Sequence, residues 1–184
     1  MVLTKLSGDR FTIITGGPGT GKTSLIAELQ RRGFAGTVEA GRAIIIDQTL
    51  IGGRGVEAGD CALFAELMLA WEMRSYRIAE SESAPAVFFD RGIPELTGYF
   101  VMRGMPVPGH VSTAAQTFRY RPRVFLAPAW PEIYTTDSER NQDFAQAIAG
   151  SDAARAAYED VGYEVISLPL APVAERADFV LARR

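Results

Sequence analysis

The chain reads as an α/β protein: about five parallel strands in one sheet, helices on both faces, three layers in all, and a single domain over residues 1–184. Three observations predict this. Short apolar runs alternate with stretches of helical period along the whole length, and a glycine-rich turn at residues 16–23 joins one of each. The composition, 47% hydrophobic and 22% charged over 184 residues, suits one core of ordinary size.

The elements follow in order. Residues 10–16, RFTIITG, are short, apolar and β-branched, hence a strand. After the turn, SLIAELQRRG places Leu25, Ile26 and Leu29 on one helical face, and Gly33 ends the helix. GTVEAG reads as a brief second strand or extended piece before residues 42–50, and IGGRGVEAGD is a loop. Asp60 is a candidate N-cap for a helix on which Leu63, Phe64, Leu67, Met68, Trp71 and Ile78 form a stripe facing the core. Pro85 breaks it, and APAVFFD is a fully buried strand ending in a carboxylate.

A helix over about residues 95–103 leads to the loop GMPVPGH, a polar segment and the strand RVFLAP. PAWPEIY is irregular. DSERNQDFAQAIAG and SDAARAAYEDVG are helical, YEVISLP is the last strand, and Pro172 stands near the start of a closing helix. Residues 128–150 form a lid-like helical segment on this reading.

The charge balance restricts the partners. A net charge of −3 and a pI near 5.3 lack the basic footprint that nucleic-acid binding needs. With Cys61 and His110 the only residues of their kinds, neither a disulfide framework nor a zinc cluster of the usual ligands can be built, and a reducing cytoplasm fits best. The N-terminus shows no signal-peptide pattern, and no apolar stretch approaches the roughly 20 residues of a membrane span.

Residues 16–23 satisfy G-x-x-x-x-G-K-[ST] between a strand and a helix, which is the setting that gives this motif its meaning. Glycines 16, 17, 19 and 21 let the backbone curl with its N–H groups inward, and the helix N-terminus adds its positive end. Lys22 supplies a full charge near the β- and γ-phosphates, and the Thr23 hydroxyl a ligand for Mg²⁺. The expected nucleotide site comprises Gly16, Gly17, Pro18, Gly19, Thr20, Gly21, Lys22, Thr23 and Ser24, with ATP as substrate and Mg²⁺ as cofactor.

Phosphoryl transfer also needs a carboxylate opposite the loop, to orient metal-bound water or to accept a proton. Asp90 is the candidate, because it ends a buried strand at the edge where parallel sheets place ligands. The plainer alternative is a cap on the next helix. ATPases that activate water usually carry Glu after this Asp, whereas here Arg91 and Gly92 follow. Arg91 would hold phosphate or acceptor, or else form a structural ion pair.

Glu39 and Arg42, spaced E-x-x-R, fall where the second strand should end and are candidates for acceptor binding, with a capping carboxylate and a solvated arginine as the alternative. Asp137 and Arg140 lie in the lid segment, where Arg140 would stabilise charge on the transferring group or else sit on a solvated face. Trp130 and Tyr134 would stack on a base or wedge the lid. Arg74 and Arg77 read as solvated charges, His110 as a loop histidine and Cys61 as a buried small side chain. No N-K-x-D follows the strand RVFLAP, which argues against a GTPase.

With these motifs in order (GGPGTGKTSL, EAGRAIIIDQ, VFFDRGIPE, RVFLAPAWPEIYTTDSERNQDF, GYEVISLP) the chain resembles, over nearly its whole length, a family of small bacterial P-loop proteins classed as AAA-type ATP-binding domains. It is also similar to the nicotinamide riboside kinase domain of a bacterial NAD regulator, and more distantly to deoxynucleoside and thymidylate kinases. The resemblance implies a P-loop NTPase fold of nucleoside- or nucleotide-kinase type. It further implies phosphate binding by residues 16–24, a metal or base role for Asp90, and roles for Glu39, Arg42, Arg91 and Arg140. The acidic pair and helical lid domain of true AAA machines are missing.

The expected function is Mg·ATP-dependent transfer of the γ-phosphoryl to a small metabolite that the sequence does not identify. Lys22, Asp90 and Arg140 would be catalytic, Thr23 and Asp90 metal-binding, and Glu39, Arg42 and Arg91 acceptor-binding. A stand-alone ATPase coupled to a protein partner and a nonenzymatic nucleotide sensor remain the alternatives.

Overall fold

The computed structural model of the chain describes residues 8–132 and 144–184. Five strands are seen among them: β1 (Phe11–Thr15), β2 (Ala35–Gly36), β3 (Val87–Asp90), β4 (Arg123–Leu126) and β5 (Glu164–Ser167). They pair in the order β2-β3-β1-β4-β5, every neighbour parallel, with Ile14 opposite Asp90 on one side and Phe125 on the other. Parallel pairing requires crossovers, and the described residues supply them with helices α1 (Lys22–Arg31), α2 (Ala40–Leu50), α3 (Cys61–Ser81), α4 (Glu95–Met102), α5 (Gly109–Thr117), α6 (Phe144–Asp160) and α7 (Val173–Arg183).

Strand alternation divides the core in two. Phe11, Ile13, Val87, Phe89 and Val124 point to one face, where they pack with Leu69, Tyr76, Phe100, Ala115 and Tyr158. Ile14, Phe88 and Phe125 point to the other, against Leu25, Leu29 and Val180 of the packed pair α1 and α7. All side chains of β1 and β3 are buried, as a sheet covered on both faces demands. The chain crosses from one side of β1 to the other between β3 and β4, and the crevice beyond the carboxyl ends of strands at such a crossing is where open parallel sheets generally place ligands.

Several elements differ from the sequence expectation. The polar stretch after GMPVPGH contains α5, a helix held by Val111, Ala114, Ala115 and Phe118, and His110 lies on it, 2.7 Å from Glu66 Oε1. The two helices expected on either side of Gly150 are one: α6 runs through it because Ala147, Ser151, Ala154 and Tyr158 continue a single buried stripe. The described part of the lid-like segment therefore includes the start of a helix packed on α4.

Asp60 does cap α3, accepting from Leu63 N at 3.0 Å. The core face of α3 is shifted, however: Phe64, Ala65, Leu69, Tyr76 and Ala79 are buried, while Leu63 and Ile78 are exposed. Cys61 is half-buried, with its Sγ 3.2 Å from the Glu57 carbonyl. Among the described residues no helix is long and apolar enough to cross a membrane.

Candidate active site

β1 runs directly into the glycine-rich loop. Gly16 has φ of 134°, and a Cβ there would lie 2.2 Å from the Ala127 carbonyl oxygen, so the turn off the sheet requires glycine. Gly17 is constrained differently: a Cβ would stand 2.7 Å from the Ala147 carbonyl oxygen of α6. The same helix places Ser151 Oγ 3.1 Å from Gly17 N, whose N–H it accepts, while it donates to Ala147 O at 2.9 Å. From the opposite side Arg176 of α7 donates to the Thr20 carbonyl at 3.1 Å. The loop is thus braced by two helices distant in sequence.

Lys22 opens α1 and is buried; its Nζ donates to the Gly17 carbonyl at 2.8 Å, an oxygen that also accepts from Thr20 Oγ1 at 2.9 Å. Burial, and next the charge of Arg91, lower the Lys22 ammonium to about 8, against the opposing pull of Asp90, Glu39 and Glu95. Pro18 and Gly19 are half-buried, and Thr23 and Ser24 are exposed on the first turn of α1.

Asp90 ends β3 beside the loop strand, with its backbone N–H donated to Thr37 Oγ1 at 3.0 Å. It does not cap the next helix, since Pro94 precedes α4 without a side-chain cap bond. Its Oδ1 is buried with no hydrogen-bond partner, and burial raises its pKa, with Lys22 opposing. Mg²⁺ keeps several waters and needs few protein ligands, so the unpartnered buried Asp90 Oδ1 together with the exposed Thr23 is a donor set that would suit it.

Arg91 follows in a left-handed backbone, φ 72°, rare for a side chain of this size, and this turns its guanidinium into the crevice. There it pairs with Glu95 through Nη1 and approaches Glu39 Oε1 at 3.6 Å through Nε. Burial works against the guanidinium charge, but Glu95, Glu39 and Asp90 together raise its pKa above the ordinary value. The ion-pair alternative for Arg91 is therefore realised, and it does not remove the residue from the crevice. Glu39 precedes α2 without capping it and turns toward Arg91. Arg42 is 4.0 Å from Glu39 Oε2, is 46% exposed, and is not part of the cavity wall.

Next to the loop opens a cavity of about 480 Å³. Gly17 and Pro18 border it on the loop side, Glu39, Arg91 and Glu95 form a charged wall, and Phe64, Met68, Leu96 and Tyr99 an apolar one. Sequence reasoning missed three contributors. Glu95 accepts from Thr15 Oγ1 and, at 3.2 Å, from Tyr158 OH, besides pairing with Arg91, so it anchors the wall to the sheet. Ser151 joins α6 to the loop. Glu72 is 5% exposed and lines the cavity, raised to about 8 by burial and then by Glu95 and Asp90. A legible signal existed for Glu72: a carboxyl one turn after Met68, inside a stripe otherwise apolar.

Arg140, Asp137 and Tyr134 lie outside the described residues, and Trp130 is half-buried in the segment that follows β4.

A glycine-rich phosphate loop between the central strand and α1, in a parallel sheet of order 2-3-1-4-5, defines a P-loop protein of kinase-like fold. The chain belongs to the AAA domain family, which it matches over residues 11–176. No curated protein matches it. Among solved structures it is similar to the NadR protein in complex with NR, with a TM-score of 0.69 and 15% identity over 95% of this chain and 50% of that one. It is similar to thymidylate kinase from Ehrlichia chaffeensis, with a TM-score of 0.59 and 15% identity over 96% and 98% of the two chains. Deoxyadenosine kinase from M. mycoides with bound dATP gives 0.51 and 12% over 94% and 98%. The chain spans about half the length of the NadR protein. At these identities the likeness is one of fold.

Proposed function

We propose that the protein is a Mg·ATP-dependent phosphotransferase acting on a small metabolite. The observation that carries this reading is the cavity itself, about 480 Å³ of walled space beside Gly17 and Pro18, where a second substrate can meet a nucleotide held by residues 16–24. An acceptor oxygen placed there forms a bond to the γ-phosphorus as the bond from that phosphorus to the β–γ bridging oxygen breaks, and ADP departs. Asp90 would have one of two roles, taking the proton of a hydroxyl acceptor or helping to hold the metal. Lys22 stabilises charge on the oxygens in flight, and Arg140 is proposed to add a second cation from the lid. Thr23, together with Asp90 where that carboxylate serves the metal, would hold Mg²⁺, which neutralises phosphate charge when bound. Glu39 and Arg91 would bind the acceptor, with Arg42 at its margin.

Membership of the AAA domain family favours a second reading, a stand-alone ATPase serving a protein partner. Arg91 stands where such enzymes carry a water-activating Glu, and this supports the kinase reading over it. Measuring ADP release by the purified protein with Mg·ATP, alone and with a panel of hydroxyl and phosphate acceptors, separates the two. Acceptor-dependent release is expected; equal release without any acceptor would identify an ATPase, and tight ATP binding without release a sensor.

A further inference from the structure

The cavity contains one carboxyl that the fold leaves unused. Of the four glutamates among its described lining residues, Glu39 meets Arg91 and Arg42, Glu57 meets Arg103 at 3.4 Å, and Glu95 meets Arg91, Thr15 and Tyr158. Glu72, although 5% exposed, has no hydrogen-bond or ion-pair partner among the described residues. Burying such a group unpaired is costly, and folding gains nothing from it.

Its placement suits a ligand. Phe64, Met68 and Glu72 are spaced by four along α3 and all line the cavity, while Tyr76, a turn further, is in the core. Glu72 therefore lines the cavity one turn beyond the apolar Phe64 and Met68, with Leu96 and Tyr99 of α4 contributing to the same lining. The charges of the wall point the same way. Its described cations are Arg91 and Arg103, and each already faces a glutamate, so an arriving anion finds no uncommitted positive group among them.

We propose that Glu72 is the specificity determinant of this cavity, selecting a neutral or cationic hydroxyl acceptor whose planar ring offers N–H donors to the carboxyl, in preference to a phosphate monoester. This rests on the phosphotransferase reading. The volume accommodates a ring joined to a sugar, and Phe64, Met68 and Tyr99 provide apolar surface for the ring. Ionised or protonated, a carboxyl accepts from an N–H group, and an acceptor without that donor leaves it unpaired in a dry site, the situation in which discrimination is strongest.

The test compares adenosine, cytidine and nicotinamide riboside with their 5′-monophosphates and with analogues lacking the exocyclic nitrogen, following ADP formation in the wild type, Glu72→Gln and Glu72→Leu. At least one nucleoside should be turned over, with kcat/KM at least about tenfold above its monophosphate and its nitrogen-free analogue. Glu72→Leu should reduce the preference over the analogue to within about threefold, chiefly through KM, and Glu72→Gln, whose amide oxygen still accepts, should retain part of it. A better monophosphate, an unchanged preference in Glu72→Leu, or no turnover of any of these probes would overturn the proposal. Should the leucine variant fail to fold, the wild-type comparison of nucleoside with analogue and the glutamine variant still decide. Calorimetry with Mg·ATP separates the two readings: no binding removes the phosphotransferase itself, whereas binding with turnover of a different acceptor removes only the role of Glu72.

Discussion

Glu72→Gln keeps the side-chain shape and removes the titrating proton, so it isolates how dry this carboxyl is. Burial, reinforced by Glu95, Asp90 and Glu39 and opposed by Arg91, raises it from the ordinary 4.5 to about 8. With the folded-state value above the unfolded one, the contribution to stability is fully present below 4.5 and is lost as pH climbs through about 8. Inside that window the slope approaches about 1.4 kcal/mol per pH unit. Between about pH 5 and pH 8 the wild type should therefore lose about 3 kcal/mol more than the glutamine variant. Urea unfolding of both proteins at unit steps of pH measures this directly, and taking the difference cancels the groups that do not interact with Glu72. Parallel stability curves would refute the reasoning, because they would mean that water or a partner already satisfies the carboxylate.

Gly17→Ala would bring a Cβ to 2.7 Å from the Ala147 carbonyl and push α6 off the loop, so a loss of about 1–3 kcal/mol in urea unfolding and weaker ATP binding by calorimetry are expected. An unchanged unfolding midpoint would show that α6 does not brace the loop. Arg91→Ala removes the guanidinium between Glu39 and Glu95 and should cut acceptor-dependent transfer by about 100-fold or more, with the ATP dissociation constant altered by less than about threefold. An unaltered transfer rate would exclude Arg91 from the site.

How much was legible varies with the distance over which each feature is encoded. The loop of residues 16–23 is contiguous, and its setting between a β-branched run and an amphipathic helix is visible locally, so both the turn and Asp90 at the end of VFFD were placed from sequence. α5 was missed because Val111, Ala114 and Ala115 supply few large apolar positions among Ser112, Thr113, Gln116 and Thr117. The stripe on α3 was located, but its rotation was not. Leu63 and Ile78 are as apolar as residues that are buried, and only packing against β1 and β3 selects Tyr76 and Leu69 for the core.

The sequence by itself determined the fold class and the phosphate loop, since alternation, helical period and a strained glycine turn are short-range properties of the chain. The tertiary structure alone decided the acceptor cavity. Its walls come from residues 39, 72, 95 and 153, which lie on or beside four separate helices and meet only when the sheet brings those helices together. That meeting buries Glu72 on the cavity lining, joins Arg91 to two glutamates and leaves Arg42 at the surface, because desolvation and pairing depend on neighbours that no local pattern specifies.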